Sequence, residues 1–356
     1  MKDELDFATM VSYMRPEGSA YQRKFCNRYL KPVFGNPDRH GNYTLIVGDK
    51  PRIAFMSHHD TVHKNSGRSV VELKGGFYTV AQEQALTTNS KGFKTLEAKY
   101  NCLGADCTTG VYIMLKMIEA NIPGVYVIHA GEEIGCIGSR AIVVDRPSWF
   151  DHVQIAISFD RKGYSSVITH QMGIRTCSDD FADSFADMIG LHYEKDTGGV
   201  YTDSNEYAQD IPECTNISVG YFAQHSKVET QDKVFLEMLI KKLIAADWDK
   251  LVVSRKVTDL EDLYYGWEKH YKGATSIGRG WENSDLNWDT GYDEVDQEYE
   301  EDSADSPVSF MTDTIKDNPK AIAFMLRELG YDAYDLYDAV QDYDAEIKPG
   351  RGFRKK

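Results

Sequence analysis

Four short apolar runs, Tyr43 to Val47, Ile53 to Met56, Val125 to His129 and Ile155 to Phe159, constrain the fold of this 356-residue chain more than any other feature. They are rich in β-branched and aromatic residues and are separated by amphipathic stretches. That alternation belongs to an α/β domain with a mainly parallel central sheet flanked by helices. Val111, Met114, Leu115 and Ile118 give helical spacing from Val111 to Ala120, and Phe181, Phe185 and Ile189 give it from Ser178 to Ile189. The longest helix is expected from Lys227 to about Trp248, with Val228, Phe235, Met238, Leu239 and Leu243 on its buried stripe.

The texture changes after Val253. Residues 283–306 are crowded with Asp and Glu and contain no Lys or Arg, so self-repulsion and too few apolar groups predict a linker without fixed structure. Asn318-Pro319 then resembles an N-cap followed by proline at the first helical position, Ala321 to Leu329 is periodic, and Gly330 is a stop. A second short helix from Asp332 to about Tyr343 completes a hairpin. The expected organisation is a main domain over 1–254, a connecting segment with the acidic linker over 255–306, a small C-terminal helical appendage over 307–345 and a basic tail over 346–356.

A net charge of -16 argues against nucleic acid or an anionic membrane as partner, because phosphate contacts need clustered Lys and Arg. The acidic amino terminus has no apolar run behind it, and no stretch approaches a membrane span. A cytoplasmic location is expected, and six scattered cysteines fit reduced thiols better than disulfides.

Five motifs fall at the ends of the expected strands or in the adjoining turns, where open α/β sheets place their ligand sites. They are His58-His59-Asp60, Gly104-Ala105-Asp106, Gly131-Glu132-Glu133, Asp160 and His225-Ser226. His58 emerges at a strand end with Asp60 near enough to orient its ring, the carboxylate–histidine–metal pattern; His59 and His63 are read as ordinary polar residues. Asp106 stands at a helix start, where it either caps the helix or bridges two cations. Glu132 and Glu133 are either a solvated acidic turn or a pair held by positive charge, one ligating and the other free to take a proton. The glycine-punctuated apolar segment Ile134 to Ser139 suits close packing better than a solvent-exposed loop. For Asp160 the competing reading is a salt bridge to Arg161, and for His225 a capping or core role. As an ordered set they offer the O/N donors suited to two borderline ions such as Zn²⁺.

The order and wording of these motifs resemble the co-catalytic zinc peptidase clan that includes the M20, M28 and M42 families, over roughly residues 8–250. The most specific match is Gly131-Glu132-Glu133-Ile134-Gly135-Cys136-Ile137-Gly138-Ser139, similar to the Glu-Glu signature of single-domain M28-like aminopeptidases. The resemblance implies a zinc-exopeptidase-like fold, a phosphorylase/hydrolase-like sandwich. It implies that His58 and Asp160 hold one metal, that Glu133 and His225 hold the other, that Asp106 bridges them, that Asp60 orients His58, and that Glu132 is the general base. Two departures stand out. Cys107 follows Asp106 where many relatives carry a second Asp, and the interval from Asp160 to His225 is too short for the lid domain of M20 members.

The expected function is a two-metal hydrolase of peptide or amide bonds, with two Zn²⁺ or another divalent ion such as Co²⁺ or Mn²⁺. Asp at position 160 in the resembled clan favours an aminopeptidase or small-peptide peptidase acting on peptide or amino-acid-derived substrates. A carboxypeptidase, an N-acyl amino acid deacylase or a non-catalytic scaffold are the alternatives. Asp203, within residues 198–206, is a candidate contact for a substrate amine, with a polar surface turn as the other reading. The residues leave the oligomeric state open.

Overall fold

The computed structural model describes residues 5–88 and 94–257. The expected linker from 258 onward, the helical hairpin and the basic tail lie outside the described residues. The four apolar runs do become strands, and they sit in a seven-stranded sheet: β1 (Tyr43–Val47), β2 (Ile53–His58), β3 (Gly124–His129), β4 (Ile155–Arg161), β5 (Ser166–Ile168), β6 (Glu194–Asp196) and β7 (Glu213–Ser218). Their spatial order is β6-β5-β7-β4-β2-β3-β1. The pairs β2–β3, β2–β4, β4–β7 and β5–β6 are parallel, whereas β1–β3 and β5–β7 are antiparallel.

Strands buried on both faces read as continuous apolar runs, because alternate side chains supply two different cores. Ile53 and Phe55 of β2 enter one core with Tyr126, Ile155 and Phe159. That face is covered by α1 (Ala105–Glu119), α3 (Asp179–Ile189) and α4 (Lys233–Ala245), which contribute Val111, Met114, Phe181, Phe185, Leu239 and Leu243. Ala54 and Met56 enter the other core with Val125, Val127 and Ala156, beneath Ile142 of α2 (Ile137–Asp145), Trp149, Phe150 and Tyr207. The result is a helix–sheet–helix sandwich. Phe55 is central to it, with Tyr126, Phe159 and Trp248 rings at 5.2, 5.8 and 4.8 Å.

The expected last helix is too long at both ends. It begins only at Lys233, where Asp232 stands at the N-cap and accepts the Phe235 N–H at 3.0 Å. Its 13 residues make it shorter than the 15 of α1. Residues 230–232 instead form a strand in a four-stranded antiparallel sheet with Tyr221–Phe222, Phe77–Val80 and Val71–Lys74. Phe235, Leu239 and Leu243 are buried as expected, but Val228 and Met238 are exposed. Val228 precedes the helix altogether, so the continuation of its period was accidental.

All six cysteines are free and buried. Among the described residues no helix is long and apolar enough to cross a membrane. Arg255, one residue past the expected domain boundary, is buried, and its guanidinium donates to the carbonyls of Ala208, Ile211 and Pro212.

Candidate metal centre

The five motifs meet at the carboxyl-terminal edge of the parallel strands. His58, the last residue of β2, is fully buried. Its Nε2 lies 3.1 Å from Asp106 Oδ1, 3.5 Å from Asp160 Oδ1 and 3.9 Å from Glu132 Oε2. Its Nδ1 lies 3.3 Å from Asp60 Oδ1, and the two oxygens of Asp60 accept the backbone N–H groups of Glu132 and Glu133 at 3.2 and 3.1 Å. Asp60 thus orients the imidazole through its backbone carbonyl, 3.2 Å from Nδ1, as well as its carboxylate, and that carboxylate fixes the turn that carries both glutamates.

Asp106 does not cap α1. Gly104 occupies the N-cap at φ 80°, and Asp106 and Cys107 depart from helical geometry. The carboxylate is thereby free to face inward, with Oδ1 toward His58 and Oδ2 3.2 Å from His225 Nε2. Cys107 Sγ lies within 4.8 Å of the His58, Asp106 and Asp160 donor atoms, but the framework engages it. Its thiol donates to the Phe159 carbonyl at 2.9 Å and accepts from the Ser57 hydroxyl at 3.0 Å. Burial, then the nearby Asp160, push its pKa well above the usual thiol range. Close by, a Cβ on Gly110 would stand 2.4 Å from the Phe159 carbonyl oxygen and 2.6 Å from Ser57 Oγ. Only a glycine lets α1 lie this near β2 and β4.

Asp160 is set within β4, and Arg161 is not its partner: that guanidinium reaches Asp196 at 3.4 Å. Asp160 accepts instead from the Thr202 hydroxyl at 2.9 Å and the Tyr221 hydroxyl at 3.3 Å, while its backbone exchanges two hydrogen bonds with Asn216. The side chains of Glu132 and Glu133 are only 13% and 7% exposed, so the turn is not a solvated one. Glu133 Oε2 lies 3.2 Å from His225 Nε2, and Glu133 Oε1 is buried without a hydrogen-bond partner. The segment after them packs closely at Gly138, where a Cβ would overlap Asn42 Oδ1 and the Ala130 backbone. Ile134 and Ile137, expected to be packed, are exposed instead, because the turn at Gly131 and Gly135, both at positive φ, carries them to the rim.

His225 precedes no helix. It sits at φ 62° in the turn joining the strands Tyr221–Phe222 and Thr230–Asp232, with its side chain 47% exposed. His59 and His63 serve the framework: His59 spans Gln22 and the Gly41 carbonyl, and His63 lies between Thr61 and the Cys102 carbonyl. Asp203 is buried and turned toward His129, Oδ2 to Nδ1 3.0 Å, with the Tyr207 hydroxyl 2.7 Å from the other ring nitrogen. The carboxylate therefore faces His129 instead of open solvent, although the contact with Nδ1 is an ion-pair approach and not a hydrogen bond.

The charges are unbalanced. Burial, then the nearby Asp106, push Glu133 up to about 7 and Asp160 up to about 6. Burial, with Asp160, Asp203 and Glu133 close by, drives Glu132 well above the usual carboxylate range even though His58 opposes the shift. Against the cost of burial, Asp106 and Glu133 hold His225 up to about 11, and Asp106, Asp160 and Asp60 hold His58 well above the imidazole range. Asp106 is held well below its usual value by His225 and His58, although its burial works the other way.

Such a cluster fits divalent ions. Donor atoms of His58, Asp106 and Asp160, and of Asp106, Glu133 and His225, each lie within 4.8 Å of one another. The carboxylates outnumber the imidazoles, one oxygen is orphaned, and the available donors are the nitrogens and oxygens that suit zinc-like ions.

No protein-family model matches the chain, and no curated protein matches it by sequence. Solved structures do. Aminopeptidase PepT from Bacillus cereus superposes with a TM-score of 0.52 at 16% identity, covering 67% of this chain and 95% of that one. A tripeptidase from Staphylococcus aureus subsp. aureus Mu50 gives 0.52 at 14% identity, over 67% and 95%. The chain has the zinc-exopeptidase-like α/β fold. The clan resemblance read from the motifs therefore extends to the architecture.

Sequence reasoning missed three contributors to the cluster. Thr202 and Tyr221 hold Asp160, and Glu229 accepts N–H groups around Asp106. Of these only Glu229, four residues after His225, carried a signal, as an acidic residue in an otherwise turn-like segment.

Proposed function

We propose that the chain is a two-metal aminopeptidase that removes amino-terminal residues from short peptides. The observation that carries this reading is the divided carboxylate of Asp106, with one oxygen 3.1 Å from His58 and the other 3.2 Å from His225. In this assignment His58 and Asp160 would hold one ion, Glu133 and His225 would hold the other, and Asp106 would serve both. Bound divalent ions supply Lewis-acid polarisation of a carbonyl and activation of water. The chain's own residues do the rest. Asp60 keeps the His58 ring turned so that Nε2 faces the cleft, and Thr202 and Tyr221 keep Asp160 in place. Glu132 is left out of the ligand set. Its buried environment raises its proton affinity, which suits a group that takes a proton at Oε2 from attacking water and returns it to the leaving amine.

The amino-terminal direction is supported by Asp at position 160, in view of the clan resemblance, and by the two similar solved structures, named as an aminopeptidase and a tripeptidase. Zinc is the ion the donor set suits best, with Co²⁺ or Mn²⁺ as chemically close substitutes. The test combines elemental analysis with hydrolysis of free-amine tripeptides, amino-acid amides and N-acyl amino acids. Two equivalents of zinc and turnover of the free-amine substrates are expected. Absence of metal after zinc loading would remove the two-metal reading, and turnover confined to N-acyl substrates would remove the aminopeptidase direction.

A further inference from the structure

The carboxylate at the centre of the cluster sits on a turn that cannot hold itself in place. Asp106 and Cys107 are not helical, so the N–H groups of the preceding turn point away from the α1 ladder and need an outside acceptor. Glu229 supplies it. Leu103 and Gly104 donate their N–H groups to Glu229 Oε2 at 2.8 and 2.9 Å, and Asp106 donates its own to Oε1 at 3.2 Å. The side chain is buried. It also belongs to the His225 turn, which closes when the Glu229 N–H donates to the Ser226 carbonyl at 3.0 Å. One residue thus ties the segment that presents Asp106 to the segment that presents His225.

We propose that Glu229 is a positioning residue that sets Asp106 against His225 and so fixes the geometry of the half-site formed by Asp106, Glu133 and His225. It touches neither the reacting atoms nor an ion. The inference rests on the two-metal reading above and adds a residue to it. Its chemical requirement is strict, because three converging N–H groups need two acceptor oxygens. A glutamine of equal size offers one oxygen and turns an NH₂ toward at least one of the donors. An aspartate keeps both oxygens and the charge but is one methylene too short. Both substitutions should disturb the turn, and neither deletes a hydrophobic side chain from the core.

The experiment uses the full chain, stripped of metal and titrated with Zn²⁺ against a competing chelator, with kcat and KM measured separately on a free-amine tripeptide at saturating zinc. For Glu229→Gln the first equivalent should bind as in the parent, while the second weakens by about 10–100-fold, the usual cost of losing a group that orients a metal ligand. At saturating zinc kcat should fall by about 10–100-fold with KM changed less than about threefold. The metal-free variant should keep the parent's circular dichroism and a single cooperative melt, with a modestly lower midpoint for the lost acceptor, so the selective loss of the second equivalent is not a consequence of unfolding. Should Glu229→Gln fail to fold, Glu229→Asp takes its place. It should show the same selective loss, and hydrogen–deuterium exchange should be faster in the peptide spanning 101–108. Parent-like affinity for the second equivalent together with parent-like kcat in the folded variant overturns the proposal. A parent chain that binds no zinc overturns the two-metal reading instead, and the clamp with it.

Discussion

The two edges of the parallel sheet both bury carboxylates, and they treat them in opposite ways. At the amino-terminal edge, Glu213 opens β7 with no exposed surface. Its Oε1 accepts from the Ser178 hydroxyl and from the Ser254 and Arg255 N–H groups, each at 2.8 Å, and its Oε2 accepts the Ser178 N–H at 2.7 Å. Both oxygens have donors, four in all, which is how a buried acid contributes to a stable fold. At the carboxyl-terminal edge, Asp106, Glu132, Glu133 and Asp160 crowd around two imidazoles and one oxygen has no partner. Near-complete burial with incomplete satisfaction separates a site that invites positive charge from a fully satisfied structural tie.

The contrast breaks most decisively at His58. His58→Ala should lose at least one equivalent of zinc and turnover to background, measured by elemental analysis and tripeptide hydrolysis; a fully active variant would detach the cluster from the chemistry. Glu132→Gln should keep its zinc and lose about 10²–10⁴-fold in kcat, roughly 3–5 kcal/mol of barrier. Retained kcat would show that the proton is moved by another group.

The acidity of the site sharpens the comparison further. In the metal-free protein Asp160 is raised to about 6 and Glu133 to about 7, so both hold protons at pH 5 that zinc must displace and neither does at pH 8. Zinc affinity should therefore rise across that interval, on the order of a hundredfold or more, with proton release visible by calorimetry in buffers of different ionisation enthalpy. An affinity independent of pH would contradict the assignment of these two carboxylates as ligands. The smallest effect belongs to the other edge. Glu213→Gln should cost about 2 kcal/mol of stability in denaturant unfolding, because one acceptor becomes a donor facing N–H groups. It should leave zinc content and kcat at parent values, and a loss of metal there would erase the distinction between the edges.

The sequence was most legible where the physics is local. β2 to β4 could be read because strands buried on both faces are uninterrupted apolar runs, and β1, a half-buried edge strand, because of its β-branched and aromatic residues. β7 could not, since Glu213-Cys214-Thr215-Asn216-Ile217-Ser218 is half polar yet wholly buried, its polar groups being satisfied only by distant partners such as Asp160 and Ile168. The hairpin Val71–Lys74 to Phe77–Val80 did carry a signal, alternating residues around Gly75-Gly76, and it passed unread. His225 was assigned to the wrong local structure because Val228 happened to continue the period of α4, while the Asp232 cap marked the true start. In the cluster, the converging side chains were legible because only His, Asp and Glu at strand ends could supply such donors. The contact between Glu229 and Asp106 was not, since it joins residues 123 apart and no local pattern encodes it.

The clearance at Gly110 has a kinetic side. With less than a methyl group's room between α1 and the two strands beneath it, the wall bearing His58, Asp106 and Asp160 is packed without slack. His225 stands on a half-exposed turn across from it. On the two-metal reading proposed above, the two halves of the centre would therefore differ in how an ion enters and leaves. The inner position is expected to fill slowly and be retained through dialysis, while the outer one exchanges with solvent and tracks the free zinc concentration, so the number of ions per chain would follow the supply of metal around it.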